Sequence, residues 1–438
     1  MNTTWTEKKI NRCAGELFLL CFLAYAFSYI GRQNFSACLP AMISDGTLTK
    51  AFGGYITTAY MVVYGSGQLL NGIGGSRIRP QYLIGCGLCG AGLMNLCMSF
   101  CSLPWLMLVI WSLNGLFHSM LWAPMMRVFT DHLPESKRYA AGVNIAASIP
   151  VGTVCAYLIP ALFLRVSDWH TVFAVCGGLL LLAFAVWTCG NLRLRAYIAS
   201  MEAQCRVSRQ AVTDHHASTE NRHATGTRPS LISVILASGL LLVLLCLLCN
   251  GALKDAMNAW IPTFLSERFG LDESTSALVS VIIPIVTVSG AYVSTWINKK
   301  YIHNELYTGG VMFVLSAVCI LVIRIAGDRS ALLCAFCLAV SISSMWGANT
   351  MFLTMLPYHF AGLGLTSSVT GFLNCCAYFA SAAFSSLYGL AAEWAGWSVL
   401  ILIWLAISFL GILVCLVGGR IWRKKSQQLD QGTLFDRG

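Results

Sequence analysis

Long apolar segments recur along the whole chain and are separated by short polar, glycine or proline interruptions. Twelve candidate spans follow from this pattern, at 14–43, 52–75, 81–101, 104–130, 138–164, 169–190, 230–265, 274–298, 306–326, 330–358, 364–392 and 396–419. A helix needs about 20 apolar residues to cross a bilayer, whereas the strands of a membrane β-barrel alternate in polarity over short segments. The pattern therefore predicts an all-α membrane protein with twelve transmembrane helices.

The composition supports this prediction and excludes several other classes of protein. Of the 438 residues, 57% are hydrophobic and 11% are charged, and the mean hydropathy is +0.70. Soluble domains carry about 25% charged residues, so a soluble enzyme, a nucleic-acid-binding protein and a disordered scaffold are excluded. The polar amino terminus shows no cleavage site after a short apolar core, so we expect the first span to remain in the mature protein.

Basic residues are distributed unevenly between the two ends of the spans. Apart from Arg32, Arg127 and Lys254, which lie within spans or at their ends, most basic residues fall on the side that holds both termini. The opposite side holds only Lys50, Arg165, Arg268, Arg324 and Arg329. Because cytoplasmic loops are enriched in Lys and Arg, both termini are predicted to be cytoplasmic, in a plasma (inner) membrane. The same bias explains the net charge of +10 without a polyanionic partner.

One long polar segment, 191–229, divides the chain into two halves of six spans each. It contains six arginines, and its composition is typical of a solvated linker. The predicted organisation is an amino-terminal bundle at 1–190, a cytoplasmic linker at 191–229, and a carboxy-terminal bundle at 230–438 that ends in a short basic cytoplasmic tail.

No metal or cofactor is expected from the sequence. The linker contains His215, His216 and His223, but its composition favours a solvated segment over a metal site. The CxxC pairs lie within apolar spans without the third and fourth ligands that zinc requires, at Cys86/Cys89 and Cys246/Cys249.

The two halves share a motif in their first spans. The first reads RQNFSACLPAMISD from Arg32 and the second reads KDAMNAWIPTFLSE from Lys254. In each copy a proline follows the cation by eight residues, at Pro40 or Pro262, and a serine and an acid come after it. Such a repeat indicates two halves related by an axis along the membrane normal. Pseudosymmetry would then place Arg32 and Lys254 opposite one another.

The two cations of this motif are candidates for an anion site. A charge at bilayer depth costs about 2.5–3.5 kcal/mol on insertion scales, so it persists where it faces a cavity or a partner. Arg32 can alternatively extend to a helix end or pair with an acid. Lys254 is followed by Asp255, which can neutralise it locally or carry a proton. Successive residues of an α-helix point about 100° apart, however, so this pair is not expected to face each other directly.

Four segments resemble a known family: YIGRQNF in span one, GGSRIRP after span two, WAPMMR closing span four, and KDAMNAWIPTFL in span seven. They resemble the organophosphate:phosphate antiporter branch of the major facilitator superfamily. The resemblance implies two pseudosymmetric six-helix bundles that alternate access to a central site. It also implies that Arg32 and Lys254 hold the substrate phosphate. Tyrosines line the pore of the family at positions that correspond to Tyr25, Tyr29 and Tyr64, and Gln68 stands where glycerol-phosphate carriers have a lysine.

The combined prediction is a secondary transporter of a small organic anion, working as a monomer in the lipid bilayer. The expected substrate is a phosphorylated metabolite exchanged for inorganic phosphate. A proton-coupled organic acid symporter with Asp255 as proton carrier is one alternative, and a transporter-like membrane sensor of a phosphorylated sugar is another. No constellation typical of an enzyme is present in the spans. His118 and Trp122 lie one turn apart in span four and are expected to line the pore or to pack.

Overall fold

The computed structural model describes residues 7–74, 78–201, 238–363 and 366–431, which are almost entirely helical. The helices of the amino-terminal half are α1 (Glu7–Ser44), α2 (Lys50–Gly74), α3 (Pro80–Ser99), α4 (Pro104–Ser119), α5 (Trp122–His132), α6 (Glu135–Asn144), α7 (Ser148–Phe163) and α8 (Trp169–Arg193). Those of the carboxy-terminal half are α9 (Leu240–Gly251), α10 (Met257–Phe269), α11 (Glu273–Ser280), α12 (Ile282–Ile297), α13 (Glu305–Ala326), α14 (Ala331–Thr350), α15 (Thr366–Trp394) and α16 (Gly396–Asp430).

Short non-α segments connect some of these helices within one span. Three π-helical segments occur in the described part of the chain: Ala252–Ala256 between α9 and α10, Asn298–Ile302 after α12, and Met351–Met355 after α14. A π-helix widens the turn and often marks a functional position. The first of these segments contains both Lys254 and Asp255.

The helices agree with the twelve predicted spans. Eleven continuous helical stretches among the described residues are long and apolar enough to cross a membrane. The remaining predicted span is the second in the chain, at 52–75, and it corresponds to α2. This helix has 25 residues and is therefore long enough to cross the membrane, although it is not among the eleven apolar stretches. It carries polar side chains that face the other half of the protein. Helix α16 continues beyond the predicted end of the last span at 419, through Gly418 and Gly419 and as far as Asp430.

Several predicted segments lie partly outside the described residues, including the ends of the predicted spans at residue 75, at 230–237 and at 364–365, and the tail at 432–438. The linker at 191–229 is described only as far as residue 201, where a helical turn follows α8. The GGSRIRP segment includes residues 75–77, which are also outside the described ranges. The helices pack extensively within each half, and the two halves meet where α2 packs on α15. In the first half α1 packs on α7 and α8, and α3 packs on α4 and α8, while in the second α14 packs on α12 and α13, and α13 packs on α16.

The position of the linker gives a first testable prediction. Protease added to inverted membrane vesicles is expected to cleave within 191–229, and protease added to right-side-out vesicles is expected to leave this segment intact. This result is expected because arginine-rich segments are retained on the cytoplasmic side of the membrane, which is exposed in inverted vesicles and enclosed in right-side-out vesicles. Fragment sizes on a gel measure the result, and solubilised protein provides a control in which the segment is cut in both preparations. Cleavage in sealed right-side-out vesicles would contradict the predicted orientation.

Two matched hydrogen bonds demonstrate the internal repeat in three dimensions. The indole Nε1 of Trp169, at the start of α8, donates to Asp45 over 2.6 Å. The indole Nε1 of Trp397, near the start of α16, donates to Glu267 over 2.8 Å. Asp45 and Glu267 are the acids that close the two copies of the repeated motif. In each half, therefore, the last helix is tied to the end of the first helix by the same kind of bond.

The end of the protein opposite the termini is held together by contacts between the two halves. The Nζ atom of Lys50 on α2 lies 2.8 Å from the Oε2 atom of Glu267 on α10. Glu393 on α15 accepts a bond from the backbone N–H at the start of α2, at Ala51, over 2.7 Å. The Nε atom of Arg165, after α7, donates to the hydroxyl of Ser274 on α11 over 2.9 Å. This end of the central path is therefore closed.

Helix caps at the same end fix the entry of two spans. Asp168 accepts the backbone N–H of Thr171 at the start of α8, and this bond holds the pKa of the carboxyl below its ordinary value. Asp272 caps α11 in the same way, and its bonds from the side chain and backbone of Thr275 lower the pKa of its carboxyl. Both caps therefore remain ionised at neutral pH and hold the loops at the closed end.

Candidate functional site

Arg32 lies within α1 and is surrounded by aromatic rings of its own half. Its guanidinium carbon is 4.6 Å from the ring centroid of Tyr64, 5.4 Å from that of Tyr29 and 5.8 Å from that of Tyr60. Tyr60 and Tyr64 are one turn apart on α2, and their rings are stacked with centroids 6.0 Å apart. Aromatic faces at this distance attract a cation. The three tyrosines therefore stabilise Arg32 without neutralising its charge.

A small cavity next to Arg32 lies at the boundary between the two halves. Arg32, Gln33 and Ser36 of α1 line one side of it, and Asp255 and Asn258 of the second half line the other. Its volume is about 30 Å³, which is enough for a water molecule. An organic phosphate is larger, so the two halves must separate for a substrate of that size to enter this space.

Lys254 makes an ion pair with its neighbour Asp255. The Nζ atom of Lys254 lies 2.8 Å from the Oδ2 atom of Asp255, and the hydroxyl of Ser381 on α15 lies 3.2 Å from the same oxygen. Lys254 is also 4.4 Å from the ring centroid of Trp346 on α14, and only 6% of the residue is exposed. The expectation that this pair would not face each other is wrong. The wider π-helical turn reduces the angle between successive side chains.

Gln68 takes part in a polar bridge between the halves. The side-chain amide of Asn374 on α15 donates to the Oε1 atom of Gln68 over 2.9 Å, and the amide of Gln68 donates to the hydroxyl of Tyr64 over 2.7 Å. The ring of Tyr378 meets that of Tyr64 edge to face, with centroids 4.9 Å apart. In this conformation Gln68 therefore supports a member of the tyrosine cluster around Arg32.

Tyr25 and Trp122 extend the aromatic cluster away from the cavity. The ring of Tyr25 is 5.4 Å from that of Tyr29 and 5.1 Å from that of Trp122. Tyr25 lies about two helical turns before Arg32, on the side of α1 that leads towards the termini. Tyr25 is buried, and neither residue is among those that line the small cavity, so a contact of either with substrate remains a prediction.

His118 is buried behind the tyrosine cluster. Its two ring nitrogens are each 2.9 Å from a backbone carbonyl oxygen, that of Asn114 on the same helix and that of Ser28 on α1. Only 4% of the residue is exposed, and its ring centroid is 6.1 Å from that of Tyr60. This position ties α4 to α1, so the packing role considered for His118 matches its surroundings better than a direct role in ligand contact.

Several residues of the site were not predicted from the sequence. Tyr60 could have been found, because Tyr60, Tyr64 and Gln68 recur every four residues and therefore share one face of α2. Four site residues of the second half lie on α14 and α15, far from Lys254 in the sequence, and no local sequence pattern indicates that they belong to the site. These residues are Trp346, Asn374, Tyr378 and Ser381.

Comparisons with known proteins agree with this architecture. The chain is 22% identical over 311 residues to the membrane sensor protein UhpC of Escherichia coli (strain K12), covering 69% of this chain and 70% of the sensor. It is 21% identical over 437 residues to a probable hexose phosphate transport protein of Chlamydia muridarum (strain MoPn / Nigg), covering 94% and 92% of the two chains. The crystal structure of a D-xylose-proton symporter superposes with a TM-score of 0.70 at 10% identity, covering 93% of this chain and 97% of the symporter.

The remaining comparison concerns the family as a whole. Because the sequence identity to the solved structure is low, the superposition shows a common fold alone, with two bundles of transmembrane helices. A family model describing the Major Facilitator Superfamily matches residues 21–386. That match includes Arg32, the tyrosine cluster, Lys254 and Asp255, and the chain belongs to the major facilitator superfamily.

Proposed function

We propose that this protein is a secondary transporter that exchanges a phosphorylated metabolite for inorganic phosphate by alternating access. One observation carries the proposal: Arg32 faces the boundary between the two halves, held by three tyrosine rings and without an ion-pair partner among the described residues. A guanidinium can bind two phosphate oxygens with its planar fork, which makes arginine suited to a phosphoryl group. Lys254 is the second cation of the proposed site.

The relatives support the choice of substrate class. One of them is named a probable hexose phosphate transport protein, and another is named a membrane sensor protein. The fold and the relatives are those of membrane transport proteins, and the chain is not an enzyme. A phosphate monoester carries about −1.5 to −2 charges at neutral pH. This charge suits a site in which, among the described residues, Arg32 makes no ion pair and Lys254 is paired with Asp255.

The proposed transporter is a multi-pass protein of a plasma (inner) membrane with both termini in the cytoplasm. It acts as a monomer, with its site between the amino-terminal bundle at 1–190 and the carboxy-terminal bundle at 230–438. Substrate enters from the end that carries the termini, because the opposite end is closed by Lys50, Glu267 and Glu393. Breaking these contacts, with closure of the end that carries the termini, would open the site to the other side of the membrane.

Transport by the purified protein tests the proposal. Vesicles containing the protein and loaded with labelled inorganic phosphate are expected to release it when glucose-6-phosphate, glycerol-3-phosphate or unlabelled phosphate is added outside. Vesicles with Arg32→Ala provide the control, because they retain the fold but lose the free cation. An absence of exchange with every one of these anions, in protein that is folded and correctly inserted, would overturn the proposal.

Two other functions are favoured by particular observations. Similarity to a membrane sensor protein supports a sensor of a phosphorylated sugar, which would bind its ligand in the vesicles without moving it. The position of Asp255 in the same cavity as Arg32 supports a proton-coupled symporter of organic acids. The vesicles separate the three functions when internal pH is followed together with the labelled phosphate. A sensor releases no label, an exchanger releases it in return for external anion, and a symporter acidifies the interior during net anion uptake.

A further inference from the structure

We propose that the Lys254–Asp255 ion pair allows the empty transporter to change conformation, so that the protein also carries out net flux of its anion in addition to one-for-one exchange. This inference rests on the proposed transport function and concerns the step in which no substrate is bound. Strict exchange requires that only the loaded transporter can switch between its two open states. The charges left in the empty site therefore decide how strict the exchange is.

Two uncompensated cations at the centre of the membrane would oppose this switch. Removal of a charge from water is costly, and the cost falls when an opposite charge and hydrogen bonds take the place of water. In a site with two free cations, a bound anion would supply this compensation. After the anion leaves, the empty protein could not switch. Here Asp255 already neutralises Lys254 at a distance of 2.8 Å. Within the described part of the chain, Arg32 is then the cation of the empty site that makes no ion pair.

The ion pair and its supporting contacts lie within one half of the protein. Lys254 and Asp255 belong to the π-helical segment between α9 and α10, and their neighbours Ser381 and Trp346 belong to α15 and α14. All of these elements are part of the carboxy-terminal bundle. Movement of one bundle against the other therefore does not require the pair to break.

The contacts of Arg32 are likewise confined to the other half. Its three tyrosine rings are on α1 and α2, so the cation–π contacts move with Arg32 when the bundles separate. The hydrogen bonds that join the halves near the site, among the residues that the structure describes, are between neutral groups. The hydroxyl of Ser36 donates to the carbonyl oxygen of Ala259, and Asn374 donates to Gln68. Switching of the empty protein thus breaks neutral hydrogen bonds, while the Lys254–Asp255 ion pair and the tyrosine contacts of Arg32 each stay within one half.

Efflux of labelled inorganic phosphate from loaded vesicles tests this inference. Exchange is measured with unlabelled phosphate outside, and net efflux is measured with gluconate outside, with potassium and valinomycin holding the membrane potential at zero. For the wild-type protein we expect net efflux within about tenfold of exchange. Asp255→Asn leaves Lys254 unpaired and should raise the barrier for switching of the empty protein. We expect the ratio of exchange to net efflux to rise by at least about tenfold, whatever exchange rate remains. An added barrier of about 1.4 kcal/mol gives that factor.

A double variant keeps the test informative if Asp255→Asn folds poorly. Lys254→Ala combined with Asp255→Ala removes both charges, so its empty site again holds one cation. Its weaker binding of phosphate is expected to slow exchange at low phosphate, but the ratio of exchange to net efflux, measured with saturating phosphate, is not expected to rise as it does in Asp255→Asn. Wild-type exchange without net efflux would overturn this inference and leave the proposed function intact. An absence of exchange would overturn both.

The same assay distinguishes this account from coupling to protons. Net efflux through an empty site in which Asp255 neutralises Lys254 is expected to be unchanged when a protonophore removes the pH gradient. Net efflux that instead follows an imposed pH gradient would show that Asp255 carries a proton with the anion, and would overturn the role proposed here for the ion pair. An unchanged ratio in Asp255→Asn would overturn it as well.

Discussion

Arg32→Lys is expected to weaken binding of a phosphorylated ligand by about ten- to a hundredfold, since a hydrogen bond to a charged group contributes about 1.5–3 kcal/mol. A lysine keeps the positive charge but loses the planar fork that binds two oxygens at once. It also changes the contacts with Tyr29, Tyr60 and Tyr64, whose ring centroids lie 4.6–5.8 Å from the guanidinium carbon. The fold should be retained, because Arg32 makes no ion pair among the described residues.

The measurement is the rise in thermal stability of the purified protein when glucose-6-phosphate or inorganic phosphate is added. A ligand that binds only the native state raises stability according to its concentration relative to Kd. Arg12→Lys is a matched control, because Arg12 is exposed on the same helix and pairs with Glu16 one turn away. It should respond to ligand as the wild type does. A wild-type response from Arg32→Lys would contradict the central role of Arg32.

The transmembrane architecture could be predicted from the sequence because bilayer thickness and hydrophobicity limit the possibilities. A helix must satisfy its own backbone hydrogen bonds in lipid, so each apolar segment of sufficient length predicts one crossing. The repeat was also visible, and its acids Asp45 and Glu267 make equivalent bonds to Trp169 and Trp397. The extension of α16 to Asp430 was missed, because hydropathy marks the end of the membrane and not the end of the helix.

The site could be predicted only in part. Arg32 was identified because a charge deep in an apolar span is costly and therefore informative. Local neutralisation of Lys254 by Asp255 is an alternative that the sequence leaves open, but their direct contact depends on a π-helical turn that no residue pattern indicates. The contacts that close one end were also hidden, because they join positions far apart in the chain. Lys50 meets Glu267, and Glu393 meets the start of α2.

Lys254→Ala is expected to abolish binding of a phosphorylated ligand, whereas Lys254→Arg is expected to preserve or improve it. Truncation removes the second cation and leaves the Asp255 carboxylate without its partner, a change that costs about 3–5 kcal/mol for a buried pair. That carboxylate would also repel an anion near Arg32, which lines the same cavity. An arginine would keep the pair with Asp255 and offer further donors to a phosphoryl group.

The double variant Lys254→Ala/Asp255→Ala separates direct contact from simple neutralisation. If Lys254 binds the anion, the double variant should regain native stability but still bind the ligand about ten- to a hundredfold more weakly than the wild type, because a charged donor is missing. Ligand-induced thermal stabilisation of the two single variants and the double variant gives both quantities. Wild-type binding by the double variant would mean that Lys254 serves only Asp255. The two-cation site would then be wrong, and proton-coupled transport through Asp255 would become the better account.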